Sequence, residues 1–247
     1  MADVKKKGLN TDANSYTIIY AAVLVIVVAF LLAFISRSLK STQDANVALD
    51  KKKQVLAALN IRDLDNEQSD AKYKEVVKAD IITDTDGNVT DEGSEGAETA
   101  GFTLTSSDYK AGRLALYVCE VDGETKYVVP VYGMGLWGSI WGYIAVNDDF
   151  NTVYGAYFNH DSETAGLGAE IKDSRAWQDR FKGKTIYTAG EDGEPGDVVL
   201  AVKKKVENAD SEVDAVTGAT LTCDGVTLML ADGMAKYKPL ASKMRKK

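Results

Sequence analysis

Residues 125–146 read TKYVVPVYGMGLWGSIWGYIAV: a β-branched and aromatic run, a glycine-rich hexad, then a second run like the first. The hexad 133–138, GMGLWG, satisfies the G-x-G-x-x-G of dinucleotide-binding folds letter by letter. That fingerprint works only where a strand enters it and a helix leaves it, because the helix N-terminus holds the pyrophosphate. Here a second strand-like run follows, with a further glycine at Gly142. The stretch therefore reads as strand, tight turn, strand. That excludes a Rossmann unit and favours antiparallel pairing. Working outward, 114–121 (LALYVCEV) and 152–159 (TVYGAYFN) carry the same signature between Gly, Asp and Asn. Residues 174–182 read as a helix, 197–206 as a strand, and 221–238 as a helix with Val226, Met229, Leu230 and Met234 on one face. The fold class is α+β: an N-terminal single transmembrane helix followed by a mainly antiparallel sheet packed with helices.

The membrane span comes from residues 16–35, YTIIYAAVLVIVVAFLLAFI, which contain no charge. Twenty such residues cross a ~30 Å hydrocarbon core as a helix. Tyr16 and Tyr20 sit at one end and Arg37 and Lys40 at the other, as interface residues do. A signal peptide is the competing reading, and the run is longer than the usual apolar region of one. Lys5, Lys6 and Lys7 precede the span, while Arg37, Lys40, Lys51, Lys52 and Lys53 follow it. A positive-inside count leans towards a cytoplasmic C-terminal part, but long folded domains translocate largely regardless of charge. The expected organisation is a tail over 1–15, the transmembrane helix over 16–36, a helical stalk over 37–79, an acidic insertion or loop over 80–106, and the main domain over 107–247.

Composition narrows the function. The net charge of −8 and the short, separated basic runs speak against nucleic acid as a partner. Two cysteines, Cys119 and Cys223, allow at most one disulfide and offer no C-x-x-C pair, and His160 is the only histidine. No metal site is expected. The acidic stretch 80–98 contains DTDGNVTDE, but its glycine comes too early for an EF-hand and the glutamate at the twelfth position is missing, so it reads as a solvated hairpin or a mobile acidic insertion.

Three segments carry candidate chemistry. The turn at Gly135, Leu136 and Trp137 offers a bulky apolar pair on flexible backbone, either a core tryptophan in a tight turn or a wall for a planar ring. Residues 160–168, HDSETAGLG, form a second glycine-rich turn with Glu163, Thr164 and Leu167. Residues 214–223, DAVTGATLTC, precede the last helix. Three threonines there are either a plain N-cap or hydroxyls and free amides placed for a phosphate.

Asp214-x-x-Thr217-Gly218-Ala219-Thr220 resembles the flavinylation motif D-x-x-(S/T)-G-A-(S/T) of the FMN-binding domain family. His160, Glu163, Thr164, Gly166, Leu167 and Gly168 match that family's H-x-x-E-T-P-G-L-G-like turn, with Ala165 where proline is usual. Gly135, Leu136 and Trp137 match its G-L-W turn. Over nearly the whole chain, anchor included, the sequence resembles the C-subunit family of Na+-translocating NADH:quinone oxidoreductases. The resemblance implies FMN bound through a phosphoester to Thr220, installed from FAD by a dedicated flavin transferase. It implies that Leu136, Trp137 and Leu167 shield the ring, that Thr164 bonds its polar edge, and that Lys203 lies near the phosphate or ring. Glu163, Asp214, Thr217, Gly218 and Ala219 complete the expected cofactor-binding set. It further implies an electron-relaying subunit within a multi-subunit enzyme of the bacterial inner membrane, the domain lying on the periplasmic side. The alternatives are the equivalent flavoprotein subunit of a ferredoxin:NAD+ oxidoreductase complex, and a membrane-tethered non-redox binding module. A Ser/His hydrolase would rest on His160 alone.

Overall fold

The structure, a computed structural model, describes residues 14–96 and 98–245. Most of the expected tail over 1–15, including Lys5, Lys6 and Lys7, lies outside the described residues, as do Lys246 and Lys247. The chain divides into two compact units, Met1–Ala48 and Leu49–Lys247.

Helix α1 (Asn14–Ala58) is one uninterrupted helix that runs from the expected transmembrane segment, 16–36, into the expected helical stalk, 37–79. The reason is compositional: its 45 residues contain neither glycine nor proline. In the first unit its apolar side chains, Ile18, Phe30 and Leu32 among them, are exposed. The helix is long and apolar enough to cross a membrane.

In the second unit the end of α1 is closed by Asn60, whose φ of 62° is the left-handed conformation that asparagine tolerates best after glycine. Ile61 N donates to Leu56 O (2.9 Å) and Asn60 N to Ala57 O (3.1 Å), which satisfies two of the last carbonyls. Helix α2 (Asn66–Val76) follows, started by a reciprocal capping box between Asp65 and Gln68. Strands β1 (Val77–Thr83) and β2 (Val89–Asp91) then form a hairpin. Asp84 closes it by accepting from Asn88 N (2.8 Å) and Asp86 N (3.0 Å). The acidic segment 80–106 holds the second half of β1 and all of β2, a hairpin as one of the two sequence readings has it, and ends at the first residue of α3 (Ser106–Lys110). Asp80 anchors the hairpin to the domain. It is fully buried in β1, where its carboxylate accepts from Ala100 N (2.9 Å) and Phe102 N (3.1 Å).

Strands β3 (Leu114–Val121), β4 (Glu124–Met134), β5 (Ser139–Val146) and β6 (Val153–His160) complete a six-stranded sheet in the order β2-β1-β3-β4-β5-β6, every neighbour antiparallel. Short helices α4 (Glu170–Asp173) and α5 (Arg175–Gln178) cross back from the end of β6. The strand expected over 197–206 is split. Strand β8 (Pro195–Val198) pairs antiparallel with β7 (Tyr187–Ala189), whereas β9 (Ala201–Lys203) pairs parallel with β10 (Glu212–Asp214). Helix α6 (Thr220–Arg245) closes the fold.

Period-two alternation gives the sheet two buried faces. Leu116, Val129, Val131, Ile144 and Phe158 point towards α6, meeting Val226, Met229, Leu230, Met234 and Tyr237 in one cluster. Tyr117, Val128 and Tyr143 are buried outside that cluster. The last turns of α1 serve this other face, where Trp141 Nε1 donates to Gln54 Oε1 (2.9 Å). Tyr237 ties α6 to the sheet, its hydroxyl donating to Ala115 O (2.9 Å) and reaching Pro130 O (3.3 Å). Tyr237→Phe strands those buried carbonyls and is expected to cost about 1 kcal/mol in denaturant unfolding, with the ring's packing intact.

Lys51 ends α1's packing with a titratable contact. Its ammonium donates to Phe102 O and to Leu104 O (3.0 Å). Burial pushes its pKa down to about 8, against the pull of Asp80 and Asp108. The folded state gives up this proton before the unfolded state does. Below pH 8 both states hold the proton and the burial cost is fully present; between about 8 and 10.5 that cost is relieved. The wild type should therefore gain unfolding free energy relative to Lys51→Met as pH rises through this window, measured by urea titration at each pH.

Candidate functional site

The three motif segments meet at one end of the sheet. The β4–β5 register ends at Met134↔Ser139, leaving 135–138 as a tight loop closed by Gly135 N donating to Gly138 O (2.8 Å). In the next hairpin Ile140 pairs with His160, so the turn that follows β6 emerges beside it. The third segment connects β10 to α6. Gly225, in the second turn of α6, lies so close to this loop that a Cβ on it would sit 2.3 Å from Met134 O.

One buried carboxylate joins all three. Glu163 is 8% exposed. Its Oε1 accepts from Trp137 N (2.9 Å) and its Oε2 from Thr222 Oγ1 (2.6 Å). Its own amide donates to His160 Nδ1 (3.1 Å), which fixes the turn's entry. Ser162 Oγ donates to Trp137 O (3.1 Å), a second clamp between the first two turns. Glu163, expected from the sequence among the cofactor-binding residues, thus turns its charge inward. Among the described residues no hydroxyl is hydrogen-bonded to His160, so the hydrolase reading finds no nucleophile–base pair there.

What faces outward is apolar. Trp137 is 67% exposed, with Leu136 and Leu167 also exposed. Singly these would mean nothing, but two motif turns presenting large apolar side chains at one end make a patch that needs a partner. Thr164 is exposed at the start of its turn, where its carbonyl accepts from Leu167 N (3.1 Å) and Ala169 N (3.0 Å). Gly218, at φ 80°, places the third turn against the second: a Cβ there would be 2.8 Å from Leu167 Cδ2.

The three threonines differ. Thr217 is exposed, Thr220 is half-buried and Thr222 is 1% exposed with its hydroxyl committed to Glu163. Residues two apart on a helix point about 200° apart around its axis, so Thr220 and Thr222 cannot share a face. In the sequence Thr222 reads only as a candidate N-cap alongside Thr220, because its partner lies 59 residues away. Thr220, Leu221 and Thr222 open a 26-residue helix, and their amides have no carbonyl one turn back to bond. Such an end favours an anion. Asp214 is exposed; its carbonyl accepts from Trp177 Nε1 (2.7 Å) and its carboxylate faces Arg180 (3.6 Å). Ala219 is buried against the core and begins the helix by accepting from Cys223 N (2.9 Å). Lys203 is exposed on β9, in register with Asp214, and its carbonyl accepts from Ala215 N (2.9 Å). Cys119 and Cys223 are both buried free thiols. Burial pushes the Cys223 thiol up, partly offset by the amide of Val216 at 3.3 Å from its sulfur, so it stays neutral and caps the turn. A cleft of about 570 Å³ lies on the flank of the β4–β5 hairpin, lined by Tyr109, Tyr132, Met134, Trp141 and Lys236.

Residues 135–235 match the family model for the FMN-binding domain. A relative from Chlamydia muridarum, the C-subunit of a Na+-translocating NADH-quinone reductase, is 39% identical over 46% of this chain and 39% of its own length. The C-subunit of the same reductase from Haemophilus ducreyi is 31% identical over 88% of both chains. The chain belongs to the C-subunit family of Na+-translocating NADH-quinone reductases. A solved C-subunit from Parabacteroides distasonis superposes with a TM-score of 0.72 at 34% identity, covering 82% of this chain and 96% of that one. The site fits the flavin mononucleotide this family's domain is named for. A helix N-terminus with free amides suits the phosphate, and exposed Leu136, Trp137 and Leu167 suit a planar apolar ring. For a C-subunit of this family α1, the one helix among the described residues long and apolar enough to span, fits a single-pass membrane protein.

Proposed function

We propose that this chain is the electron-relaying subunit of a Na+-translocating NADH:quinone oxidoreductase, with FMN esterified through its phosphate to Thr220. The observation that carries the reading is the convergence of the three turns on Glu163, with Thr220 half-buried at the start of α6 and Leu136, Trp137 and Leu167 exposed on the other two turns. In attachment, Thr220 Oγ bonds to the FMN-side phosphorus of FAD as the pyrophosphate bond breaks. AMP leaves and the hydroxyl proton passes to a base of the flavin transferase. The amides of Thr220, Leu221 and Thr222 receive the phosphate, and Lys203 adds a cation beside it. Leu136, Trp137 and Leu167 exclude water from the ring, and Thr164 offers a hydroxyl to its polar edge. Asp214, Thr217, Gly218 and Ala219 shape the turn. When bound, FMN supplies one- and two-electron chemistry that no side chain here supplies.

The relatives' names supply the setting: a sodium-translocating reductase of quinone by NADH. In this reading α1 anchors the chain in the bacterial inner membrane, the domain lies on the periplasmic side, and other subunits provide the NADH and quinone sites. The test is peptide mapping of the full chain co-expressed with its flavin transferase. The expected result is one FMN increment on the peptide holding 214–223; a flavin-free peptide there rejects the proposal.

A further inference from the structure

Attachment has to choose among hydroxyls, for Thr222 stands two residues beyond Thr220 in the same helical turn. Resting on the Thr220 reading, the geometry points to Glu163 as the positioning residue that makes this choice and sets the ring wall against the chosen hydroxyl. A carboxylate is buried only where its lone pairs are met. Here each oxygen meets one donor from a different turn, Trp137 N at 2.9 Å and Thr222 Oγ1 at 2.6 Å.

The backbone around the carboxylate is built to admit it. A Cβ on Gly135 would fall 2.4 Å from Glu163 Oε1, and one on Gly168 would fall 2.5 Å from Oε2 and 2.6 Å from Thr222 Oγ1. Both positions must lack a side chain for the carboxylate to reach its two donors. The requirement links the first turn, the second turn and the start of α6 through a single group.

Two consequences follow from that placement. The Thr222 hydroxyl is held by a negative charge in contact with it, so a phosphoester at that oxygen would press one anion against another. Thr220 points about 200° away around the helix and escapes this repulsion. The other carboxylate oxygen fixes the amide of Trp137, so the apolar wall and the attachment point keep one spacing. Glu163 acts through Trp137 and Thr222 and does not itself reach the flavin.

The experiment uses the full chain co-expressed with flavin transferase, as wild type, Glu163→Ala, Glu163→Gln and Thr222→Ser. Peptide mapping reads the attachment site, visible circular dichroism of the attached flavin reads ring placement, and thermal melting reads folding. Wild type and Thr222→Ser are expected to carry FMN on Thr220 alone with the same dichroism. In Glu163→Gln the amide still accepts from Trp137 N and can donate to Thr222, so dichroism is retained. The charge is gone, however, and adduct appears on Thr222 as well as Thr220. In Glu163→Ala the adduct is also divided and dichroism falls severalfold. Should Glu163→Ala fail to fold, Glu163→Gln decides alone. Adduct on Thr220 alone with wild-type dichroism in every folded Glu163 variant, even with lowered melting temperature, overturns the proposal and leaves the Thr220 reading standing. Absence of a Thr220 adduct in the wild type overturns both.

Discussion

Thr220→Ala is expected to abolish the proposed covalent flavin, Thr220→Ser to keep it, and Thr217→Ala to keep it at a reduced rate of attachment. The hydroxyl oxygen at 220 is the proposed phosphoester atom, and no neighbour replaces it. Thr222 is bonded to the Glu163 carboxylate, whose charge opposes a phosphoester there, whereas Thr217 stands before Gly218, outside the helical turn whose amides would hold the phosphate. On the proposed attachment, the covalent bond would be what retains the cofactor. A charge at a helix N-terminus contributes about 0.3–1 kcal/mol when exposed. A nanomolar complex needs about 12 kcal/mol. A wall with Trp137 two-thirds exposed does not close that difference. Thr220→Ala should therefore lose flavin on desalting as well as under denaturing conditions. Intact mass after co-expression with the transferase checks it, and an FMN increment surviving in Thr220→Ala sinks the assignment.

How far the fold and site could be read from sequence depended on whether the signal was local. The strands from Leu114 to His160 were legible because β-branched and aromatic residues alternate between glycine-bearing turns. The rejection of a dinucleotide fold at 133–138 followed from the strand after it, now β5. Strand β1 was not legible at its bounds: residues 77–79 fall in the expected helical stalk, and Asp80 reads as solvent-seeking until the folded chain supplies the amides of Ala100 and Phe102 that bury it. Lys203 was placed in a strand, but its parallel pairing with β10, which brings it beside Asp214, is a tertiary fact. The three flavin motifs were recognisable separately, as was their order. What joins them was not: Glu163 meets Trp137 across 26 residues and Thr222 across 59, and no periodicity encodes such pairs.

Gly225→Ala should lower stability by about 2 kcal/mol, although the helix it interrupts would gain from it. Alanine in a helix interior is favoured over glycine by about 1 kcal/mol. An added Cβ, however, would lie 2.3 Å from Met134 O and 3.3 Å from Gly135 Cα, both backbone atoms that have no rotamer to give. Overpacking of this kind costs about 1–3 kcal/mol, occasionally more, so the clash outweighs the propensity. Relief requires the start of α6 to move away from the 135–138 loop. That is the motion that would separate Thr220 from Trp137 and stretch the Glu163 bridge. Gly183→Ala is the control: its φ of 78° also disfavours a side chain, but no atom lies within 4 Å, so only backbone strain of about 1 kcal/mol is expected, and no loss of flavin. Urea unfolding of the two variants in detergent, with flavin loading measured in parallel, separates the cases. Equal stability losses with equal loading would mean that the helix does not need its close approach to the β4–β5 turn. A larger loss in Gly225→Ala together with slowed attachment would mean that the packing of α6 on this turn is what brings the hydroxyl to the wall.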